Sequence, residues 1–309
     1  MIEVVFLGTG SAVPTRFRNL SSTALIRQGE IFLFDCGEAT QIQFRRAGLR
    51  PGRLSRIFIS HFHGDHLFGL PGLLTSLQMA DCQQDIFLYG PEGISEYIKF
   101  HQKLCRFTLK YPLHVIEVPA GCAHMEWQEP GYRIVCRELK HRMRCLGWAI
   151  VEDPRPGKFD VEKAERLGIR PGPERGRLQK GETVVLPDGR TVRPEEVVGP
   201  PRRGHHVAYC VDTLPCEAAV ELARDAELLI HDATFSDEEA EWAHQTGHST
   251  IREAAVVAQK AGVARLALTH FSGRFMPRDE SRLLQEAQSV FPNSFVARDL
   301  MRLTIEYPD

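Results

Sequence analysis

Several features that would assign this chain to a common class of protein are missing from its sequence. The eight cysteines form no Cys-x-x-Cys pair, which argues against a zinc ribbon or a thioredoxin-type motif and favours reduced, mostly buried thiols. No stretch approaches the roughly 20 consecutive apolar residues that a membrane span needs. Residues 1–6 are typical of a strand and lack the charged, apolar and small-residue zones of a signal peptide. We therefore expect a cytoplasmic protein with no membrane partner.

Two common catalytic motifs are also absent. Gly8-Thr9-Gly10 begins like a dinucleotide-binding fingerprint, but Val13 occupies the place of the third glycine, and Pro14 is a poor entry to a helix there. The Gly-x-Ser-x-Gly motif of serine hydrolases does not occur. Nucleotide-cofactor chemistry and a serine nucleophile therefore have no support in the sequence.

The chain has no excess of positive charge. Its 38 basic and 40 acidic residues give a formal net charge of −2, and the hydrophobic fraction of 43% is that of a globular protein. A protein that binds nucleic acid through a general basic surface would be more positive. Any polyanionic substrate must therefore be held by a local patch.

Short apolar runs alternate with helical patterns along most of the chain, which predicts an α/β architecture with helices covering the sheets. The predicted strands are 2–7, 23–27, 31–35, 56–60, 85–89, 113–118, 132–139, 146–151, 205–211, 227–231, 264–268 and a last one near 300–306. The predicted helices are 38–47, 67–80, 92–106, 216–224, 249–261 and 279–289.

Residues 153–204 break this alternation because they are rich in proline, glycine and charge. A segment of this length without regular structure is commonly functional or disordered. Segments typical of an enzyme lie on both sides, so we interpret it as an inserted, hairpin-like arm. Between residues 166 and 180 it carries five basic residues and only Glu174 as an acid, which would let it bind an RNA backbone.

The strongest chemical signal is Ser60-His61-Phe62-His63-Gly64-Asp65-His66, between an apolar strand and a helical pattern. Imidazole and carboxylate groups are suitable Zn²⁺ ligands. Four ligands within six residues cannot all reach one ion, so a natural division sends His61 and His63 to one metal and Asp65 and His66 to another. Two metals about 3.5–4 Å apart can clamp both the attacking and the leaving oxygen of a displacement.

Three more candidate ligands follow predicted strands: His141, Asp212 and His270. Each taken singly is an ordinary polar residue at a strand end. Taken with the histidine loop they fit a pattern, because active-site groups of α/β proteins gather where strands end. The carboxylate of Asp212 could bridge both ions. His141 would complete the ligand set of the first metal, and His270 that of the second.

The order of these ligands resembles that of the metallo-β-lactamase superfamily. The resemblance narrows to the short form of the ribonuclease Z family through residues 6–15, 18–19, 69–74, 231–235, 247–250 and 270–275, together with Pro171-Gly172-Pro173 and residues 176–181 in the arm. It implies an αββα sandwich of two mixed sheets flanked by helices over residues 1–309 as a single domain, with 153–204 as an inserted exosite arm. It also implies two Zn²⁺ ions per subunit, precursor tRNA as the substrate and a homodimer.

The resemblance also implies roles for particular residues. Asp65 would be the general base, and His248 the general acid, oriented by Asp232. Precursor tRNA would be contacted by residues near the cut and in the arm: Arg274, Arg18, Asn19, Arg175, Arg177 and Lys180. The chain departs from the family at Asp232, where glutamate is usual, and at Trp148 and Phe275, where tyrosine is usual. The shorter carboxylate of Asp232 changes its reach toward His248.

Two other functions fit parts of the pattern. A small-molecule phosphodiesterase or thioesterase of the same superfamily would keep the metal site, but would have no use for a distant arm. An RNA-binding or scaffold protein with an inactive site is disfavoured by the complete ligand set.

Overall fold

The computed structural model describes residues 1–307, which contain sixteen strands and ten α-helices. The strands are β1 (Ile2–Gly8), β2 (Ser22–Arg27), β3 (Glu30–Phe34), β4 (Leu54–Phe58), β5 (Ile86–Pro91), β6 (Leu113–Val118), β7 (His124–Glu129), β8 (Tyr132–Leu139), β9 (Cys145–Glu152), β10 (Val184–Val185), β11 (Thr191–Val192), β12 (His206–Cys210), β13 (Leu228–Asp232), β14 (Leu266–Thr269), β15 (Ser294–Val296) and β16 (Arg302–Ile305). The helices are α1 (Thr40–Arg46), α2 (Gly64–Leu67), α3 (Leu70–Met79), α4 (Ile94–Cys105), α5 (Val161–Arg166), α6 (Pro173–Gln179), α7 (Glu217–Leu222), α8 (Ala240–Thr246), α9 (Ile251–Ala261) and α10 (Glu280–Gln288). None of these helices is both long and apolar enough to cross a membrane.

The chain divides into two compact units. The larger comprises residues 1–151 and 206–306, and the smaller comprises residues 152–205 with Tyr307. In the described part of the larger unit, one seven-stranded sheet has the order β16-β1-β2-β3-β4-β5-β6, and the other has the order β15-β14-β13-β12-β9-β8-β7. In the first sheet β3 to β6 run parallel, while β1 pairs antiparallel with β2 and β16. In the second sheet β12 to β15 run parallel, while β9 pairs antiparallel with β12 and β7 with β8. Both sheets are therefore mixed.

The two sheets face each other across an apolar layer. Phe34 stacks on Tyr209 with ring centroids 5.2 Å apart, and Phe58 lies 5.2 Å from Trp148, so each pair joins one sheet to the other. On the outer faces, α1, α3 and α4 pack on the first sheet and α7, α9 and α10 on the second. The predicted αββα sandwich is confirmed. Central strands such as β1, β4 and β13 are buried on both faces because helices cover the outer ones.

Some sequence predictions of elements were incomplete. Strand β7 was missed, although Pro130-Gly131 forms the two-residue turn that pairs it with β8, with Gly131 at a φ of +82°. Helix α8 and the short strand β15 were also missed. The predicted helix 67–80 is interrupted at Gly69, where a β-carbon would lie 1.9 Å from the carbonyl oxygen of Gly37.

The smaller unit is folded rather than a simple hairpin. Helices α5 and α6 and the hairpin of β10 and β11 surround a small apolar core that includes Ala164, Ile169, Leu178 and Val192. The expectation of a hairpin-like arm therefore describes only residues 184–192 of it. The many prolines and glycines shorten the elements, but enough apolar side chains remain to give the unit a core of its own.

Candidate active site

Loops at the ends of several strands bring the predicted ligands together. The histidine loop follows β4 and enters α2, and His141 follows β8 by two residues. Asp212 and His270 come after β12 and β14, with backbone φ angles of 51° and 63°. Left-handed backbone is uncommon outside glycine and is costly unless the surroundings enforce it. Left-handed backbone at both Asp212 and His270 is typical of a functional site at this edge of the sandwich.

The ligand atoms form two clusters that share Asp212. In the first, Nε2 of His61 lies 2.9 Å from Nδ1 of His63 and 3.4 Å from Oδ2 of Asp212, and His141 completes the group. All four side chains are those assigned to the first metal.

In the second cluster, Nε2 of His66 lies 3.1 Å from Nε2 of His270 and 3.1 Å from Oδ1 of Asp212. Oδ2 of Asp65 is 3.5 Å from the His66 nitrogen and 3.4 Å from the His270 nitrogen. The two oxygens of Asp212 thus face different clusters, as a bridging carboxylate requires.

Hydrogen bonds on the far side of the imidazole rings orient them. Nδ1 of His66 donates to Asp35 at 2.7 Å, and Nδ1 of His141 donates to the carbonyl of Gly247 at 2.7 Å. Nδ1 of His270 lies 2.8 Å from the hydroxyl of Thr234. A proton on Nδ1 leaves Nε2 available to bind a metal ion, and hydrogen bonds of this kind behind the ring are typical of metal-bound histidine.

The donor set fits divalent metal ions. Nitrogen atoms at 2.9 and 3.1 Å from one another present lone pairs that repel unless a cation or proton lies between them. Nε2 of His141 and Oδ1 of Asp212 are buried and have no hydrogen-bond partner among the described residues. Buried polar atoms without partners are costly, so these two atoms point to ligands that are not protein groups. Imidazole with carboxylate is a set that Zn²⁺ and several other ions accept.

Electrostatics keep the site carboxylates ionised. Burial by itself would raise the pKa of Asp212, but the neighbouring His270, His66 and His61 hold that pKa well below its usual range. Asp65 behaves in the same way, and His66 is the main cause of its lowered pKa. Burial, reinforced by His61, lowers the pKa of His63 to about 4. The neutral imidazole of His63 and the two ionised carboxylates are forms that bind metal, whereas the same carboxylates raise the pKa of His66, so a metal bound there would displace a proton.

His248 and Asp232 form a pair beside the second cluster. Nδ1 of His248 donates to Oδ2 of Asp232 at 2.9 Å, so the shorter carboxylate reaches the imidazole directly. Asp232 is fully buried and also accepts from the amides of Thr213 at 3.0 Å and Thr234 at 2.9 Å. Burial opposes protonation of His248, but Asp232 outweighs it and raises the pKa of His248 to about 9.

A cleft of about 900 Å³ opens over both clusters. His63, Asp65, Asp212, His248 and His270 contribute to its floor. Its walls combine apolar and cationic side chains, namely Val13, Pro14, Phe68, Phe235, Arg142 and Arg274. Arg274 is exposed but forms an ion pair with Glu239 at 3.0 Å.

Arg18, for which the resemblance implies an RNA contact, is engaged with other residues of the protein. Its guanidinium is buried, donates to the Thr9 hydroxyl at 2.6 Å and the Ala297 carbonyl at 2.8 Å, and pairs with Glu280. Asn19 is half-buried and donates its side-chain amide to the carbonyl of Glu38 at 2.9 Å.

The basic residues named in the smaller unit have different environments. Arg175 donates two hydrogen bonds to the carbonyl of Ile169, at 3.1 and 2.8 Å, and is mostly buried there. Arg177 is exposed and pairs with Glu182 at 2.9 Å, while Lys180 is exposed. Arg175 therefore stabilises the fold of this unit, and Arg177 and Lys180 face solvent.

Two residues that organise the site were not singled out from the sequence. Asp35 ends the apolar run 31–34, the same signal that identified Asp212, and its φ of 56° is also left-handed. The hydroxyl of Thr234 donates to Asp232 at 2.6 Å and also contacts His270. Thr234 therefore connects the His248–Asp232 pair to a candidate ligand. A threonine beside a strand end gives no comparable signal. Tyrosine is usual in the family at two further positions. Of these, Trp148 is fully buried between the two sheets, and Phe275 packs against the core between the second sheet and its helices.

Comparison with known proteins agrees with this geometry. A family model described as a beta-lactamase superfamily domain matches residues 188–271, and one described as anti-Pycsar protein Apyc1 matches residues 2–105. Human tRNase Z, short form, has a similar structure with a TM-score of 0.73 at 28% identity, over 98% of this chain and 99% of that one.

Curated relatives match over almost their whole length. Ribonuclease Z of Microcystis aeruginosa is 46% identical, covering 99% of this chain and 96% of the relative. Ribonuclease Z of Methanosarcina acetivorans is 46% identical over 307 residues, covering 99% of each chain. This protein therefore belongs to the ribonuclease Z family.

Proposed function

We propose that this protein is an endoribonuclease that removes the 3′ trailer from precursor tRNA, leaving a 3′-hydroxyl on the tRNA and a 5′-phosphate on the trailer. The observation that carries the proposal is the position of Asp212 between two clusters of histidines, in a cleft that also contains the His248–Asp232 pair. The relatives that match end to end carry the name ribonuclease Z, which agrees with this activity.

The cofactor is two Zn²⁺ ions per subunit. His61, His63 and His141 would hold one, Asp65, His66 and His270 the other, and Asp212 would offer one oxygen to each. When bound, such a pair of ions lowers the pKa of water and neutralises charge on the attacking and leaving oxygens.

Asp65 accepts the proton of the attacking water. Its carboxylate is 11% exposed, compared with 2% for Asp212, and it lines the cleft. The backbone amide of Ala12 donates to its Oδ2 at 2.7 Å, which fixes the carboxylate in place. Asp65 is therefore the carboxylate with access to both the substrate and the second cluster.

His248 donates a proton to the 3′-oxygen that leaves. Its Nδ1 is occupied by Asp232, so Nε2 is the nitrogen available to the substrate in the cleft. Asp232 positions the ring, as a buried carboxylate does for histidine elsewhere. Because Asp232 is held by two backbone amides as well, the direction of His248 is set by the fold and not by a mobile side chain.

Residues 152–205 act as the arm that binds tRNA away from the cut. Exposed cations on a small folded unit can bind an RNA backbone although the whole chain carries a net charge of −2. We further infer a homodimer in which the arm of one subunit holds tRNA cleaved by the other, and we place the enzyme in the cytoplasm.

The alternative function is hydrolysis of a small phosphodiester or thioester at the same metal site. It would explain the two clusters and the His248–Asp232 pair. It would not explain a separate folded unit that carries exposed basic residues, and it does not agree with the name of the full-length relatives.

The test is to incubate the zinc-loaded protein with a precursor tRNA that carries a 3′ trailer and to map both product ends. We expect one cut beside the discriminator nucleotide, leaving the ends stated above. A zinc-loaded His248→Ala variant should cleave roughly 10²–10⁴-fold more slowly, the usual contribution of a general acid.

The variant Asp65→Ala should not cleave even where zinc remains bound. Cleavage by a zinc-loaded Asp65→Ala protein would remove Asp65 as the base. Hydrolysis of bis(p-nitrophenyl) phosphate without any cut in precursor tRNA would keep the metal site and support the small-molecule alternative.

A further inference from the structure

Phe68 is a large aromatic side chain that is exposed inside the cleft. It lies two residues after His66, the end of the histidine loop, and 67% of its surface is accessible. Its neighbour Leu67 is 2% exposed and packs between the first sheet and its helices. Leu67, the last residue of helix α2, thus points inward, and Phe68, the residue after it, faces the cleft. Together with the exposed Val13 and Pro14 it gives the cleft an apolar surface, and exposed apolar patches mark binding sites.

The backbone at Phe68 is held in a fixed place, and one edge of the ring has a neighbour. One edge lies against the backbone of Gly64, where an added β-carbon would approach the ring to 2.4 Å. The amide of Phe68 donates to the carbonyl of Gly64 at 2.9 Å, and the next amide, of Gly69, donates to Cys36 at 2.9 Å. Gly69 cannot shift because it is packed against Gly37. A rigid aromatic surface loses little conformational entropy when a flat ligand binds to it.

The walls of the cleft differ in character in a way that suits a nucleotide. Phe68, Val13 and Pro14 are apolar, and Val13 is 65% exposed like Phe68. Arg142, Arg274 and His248 supply hydrogen-bond donors around the same space. A base can stack on the apolar part while its phosphate is held by the donors and the metal site. Unpaired bases are commonly bound by stacking on aromatic side chains.

We propose that Phe68 is the stacking surface for the base of an unpaired nucleotide next to the scissile phosphate. This inference rests on the proposed function, because it takes an RNA chain as the substrate. Stacking does not read the identity of the base, so it would let the enzyme accept different nucleotides at the cut while requiring that the nucleotide be unpaired.

The test combines variants of Phe68 with substrates that lack one base. Zinc-loaded wild type, Phe68→Ala, Phe68→Leu and Phe68→Trp are compared on a precursor tRNA with a single-stranded trailer. The matched control is Phe100→Ala, since Phe100 is similarly exposed at 58% but lies on α4 and not among the cleft residues. Zinc content and Tm are measured for every variant, because Phe68 contacts the metal loop.

We expect Phe68→Ala to lower kcat/KM roughly tenfold, the loss expected for one stacked base. Phe68→Trp should retain activity, Phe68→Leu should lose most of what alanine loses, and Phe100→Ala should match wild type. An abasic nucleotide is then placed on either side of the cut. At one of the two positions it should slow wild type about tenfold and leave Phe68→Ala no slower than before.

The outcomes separate this inference from the proposed function. If wild type does not cut the intact precursor, the proposed function fails. If wild type cuts but Phe68→Ala is equally fast, or if the alanine and abasic effects multiply at both positions, Phe68 does not stack on a base and this inference alone is overturned. The position at which the two effects coincide identifies the stacked nucleotide.

Discussion

The carboxylate of Asp35 accepts a hydrogen bond from Nδ1 of His66 at 2.7 Å across 31 positions of the chain. The oxygen that accepts this bond, Oδ2, also accepts from the hydroxyls of Ser60 and Tyr209, each at 2.9 Å. The other oxygen, Oδ1, accepts from the Ser60 amide at 2.7 Å. Ser60 in turn contacts Nδ1 of His61 at 2.9 Å. One buried carboxylate therefore orients a histidine in each cluster.

Asp35→Asn should lower zinc affinity by about 10- to 100-fold, the usual effect of losing the carboxylate that orients a metal-binding histidine. Asparagine tolerates the left-handed backbone at this position, so the fold should be kept. Zinc affinity is measured by competition with a chelator. Tyr209→Phe is the control, because it removes one bond to Asp35 and leaves His66 oriented. Equal affinity in Asp35→Asn and wild type would contradict the assigned role.

Asp232→Asn should lower kcat by about 10²–10⁴-fold while zinc content stays the same, because an amide no longer fixes the tautomer and direction of His248. Single-turnover cleavage of precursor tRNA measures the effect. The surface pair of Asp85 and His114, at 3.1 Å, provides a matched control, since Asp85→Asn breaks a similar bond away from the cleft. A normal cleavage rate in Asp232→Asn would show that the pair is only structural.

Arg142→Ala should raise KM for precursor tRNA roughly tenfold and reduce the slope of log KM against log salt by about one. Arg142 lines the cleft and is exposed, and among the described residues it has no ion-pair partner, whereas Arg274 is paired with Glu239. Steady-state kinetics at several salt concentrations measure both effects. Arg224→Ala changes an exposed arginine outside the cleft and should leave both unchanged.

In the smaller unit, Arg170→Ala combined with Lys180→Ala should weaken tRNA binding and its salt dependence without lowering Tm. Both side chains are exposed, so their loss removes positive charge but little packing. Arg175→Ala should instead lower Tm, because its guanidinium holds the carbonyl of Ile169. Filter binding and thermal unfolding are measured on the same samples. Weaker binding from Arg175→Ala with an unchanged Tm would reverse these assignments.

His205 should make the protein sensitive to acid. Its buried ring stacks on Tyr307 with centroids 4.1 Å apart, and neither ring nitrogen has a hydrogen-bond partner among the described residues. Burial lowers the pKa of His205 to about 4, below the value of roughly 6.5 in an unfolded chain. The unfolded chain therefore binds the extra proton first, and stability falls as the pH falls from about 6.5 toward 4.

His205→Phe keeps the stacked ring and removes the titrating nitrogens. Its Tm should exceed that of wild type, because two unpaired buried polar atoms are lost. The difference should widen between pH 7.5 and pH 5, as measured by thermal unfolding in matched buffers. A constant difference across that range would show that His205 does not titrate on unfolding.

The candidate metal ligands could be predicted from the sequence because their signal is local. His61, His63, Asp65 and His66 lie within six positions, and Asp212 and His270 each end an apolar strand whose direction and burial are visible in the pattern. His141, Asp212 and His270 follow strands of one sheet, whose ends lie along one edge. The histidine loop follows a strand of the other sheet, so it meets them only because the two sheets pack together. The resemblance to a family implied the roles of His248 and Asp232. From the residues alone, His248 could equally be a residue beside the start of a helix.

Tertiary structure decided what the side chains contact. Arg18 and Arg175 look like RNA-binding cations in the sequence, but one is buried against Glu280 and the other holds a backbone carbonyl. Charge predicts attraction to a phosphate only when the guanidinium faces solvent, and that depends on packing between distant segments.

The same holds for Asp35 and Phe68. Nothing near Asp35 in the sequence indicates His66 as its partner, and nothing near Phe68 indicates that the ring lies open in the cleft while Leu67 is buried. The sequence by itself indicated the ligand chemistry through its histidine motif and an α/β architecture through its periodicity, while the resemblance to a family implied the sandwich of two sheets. Only the tertiary structure determined which polar groups bind each other, which lack hydrogen-bond partners and which surfaces face the substrate. These properties depend on contacts between segments that are distant in the sequence.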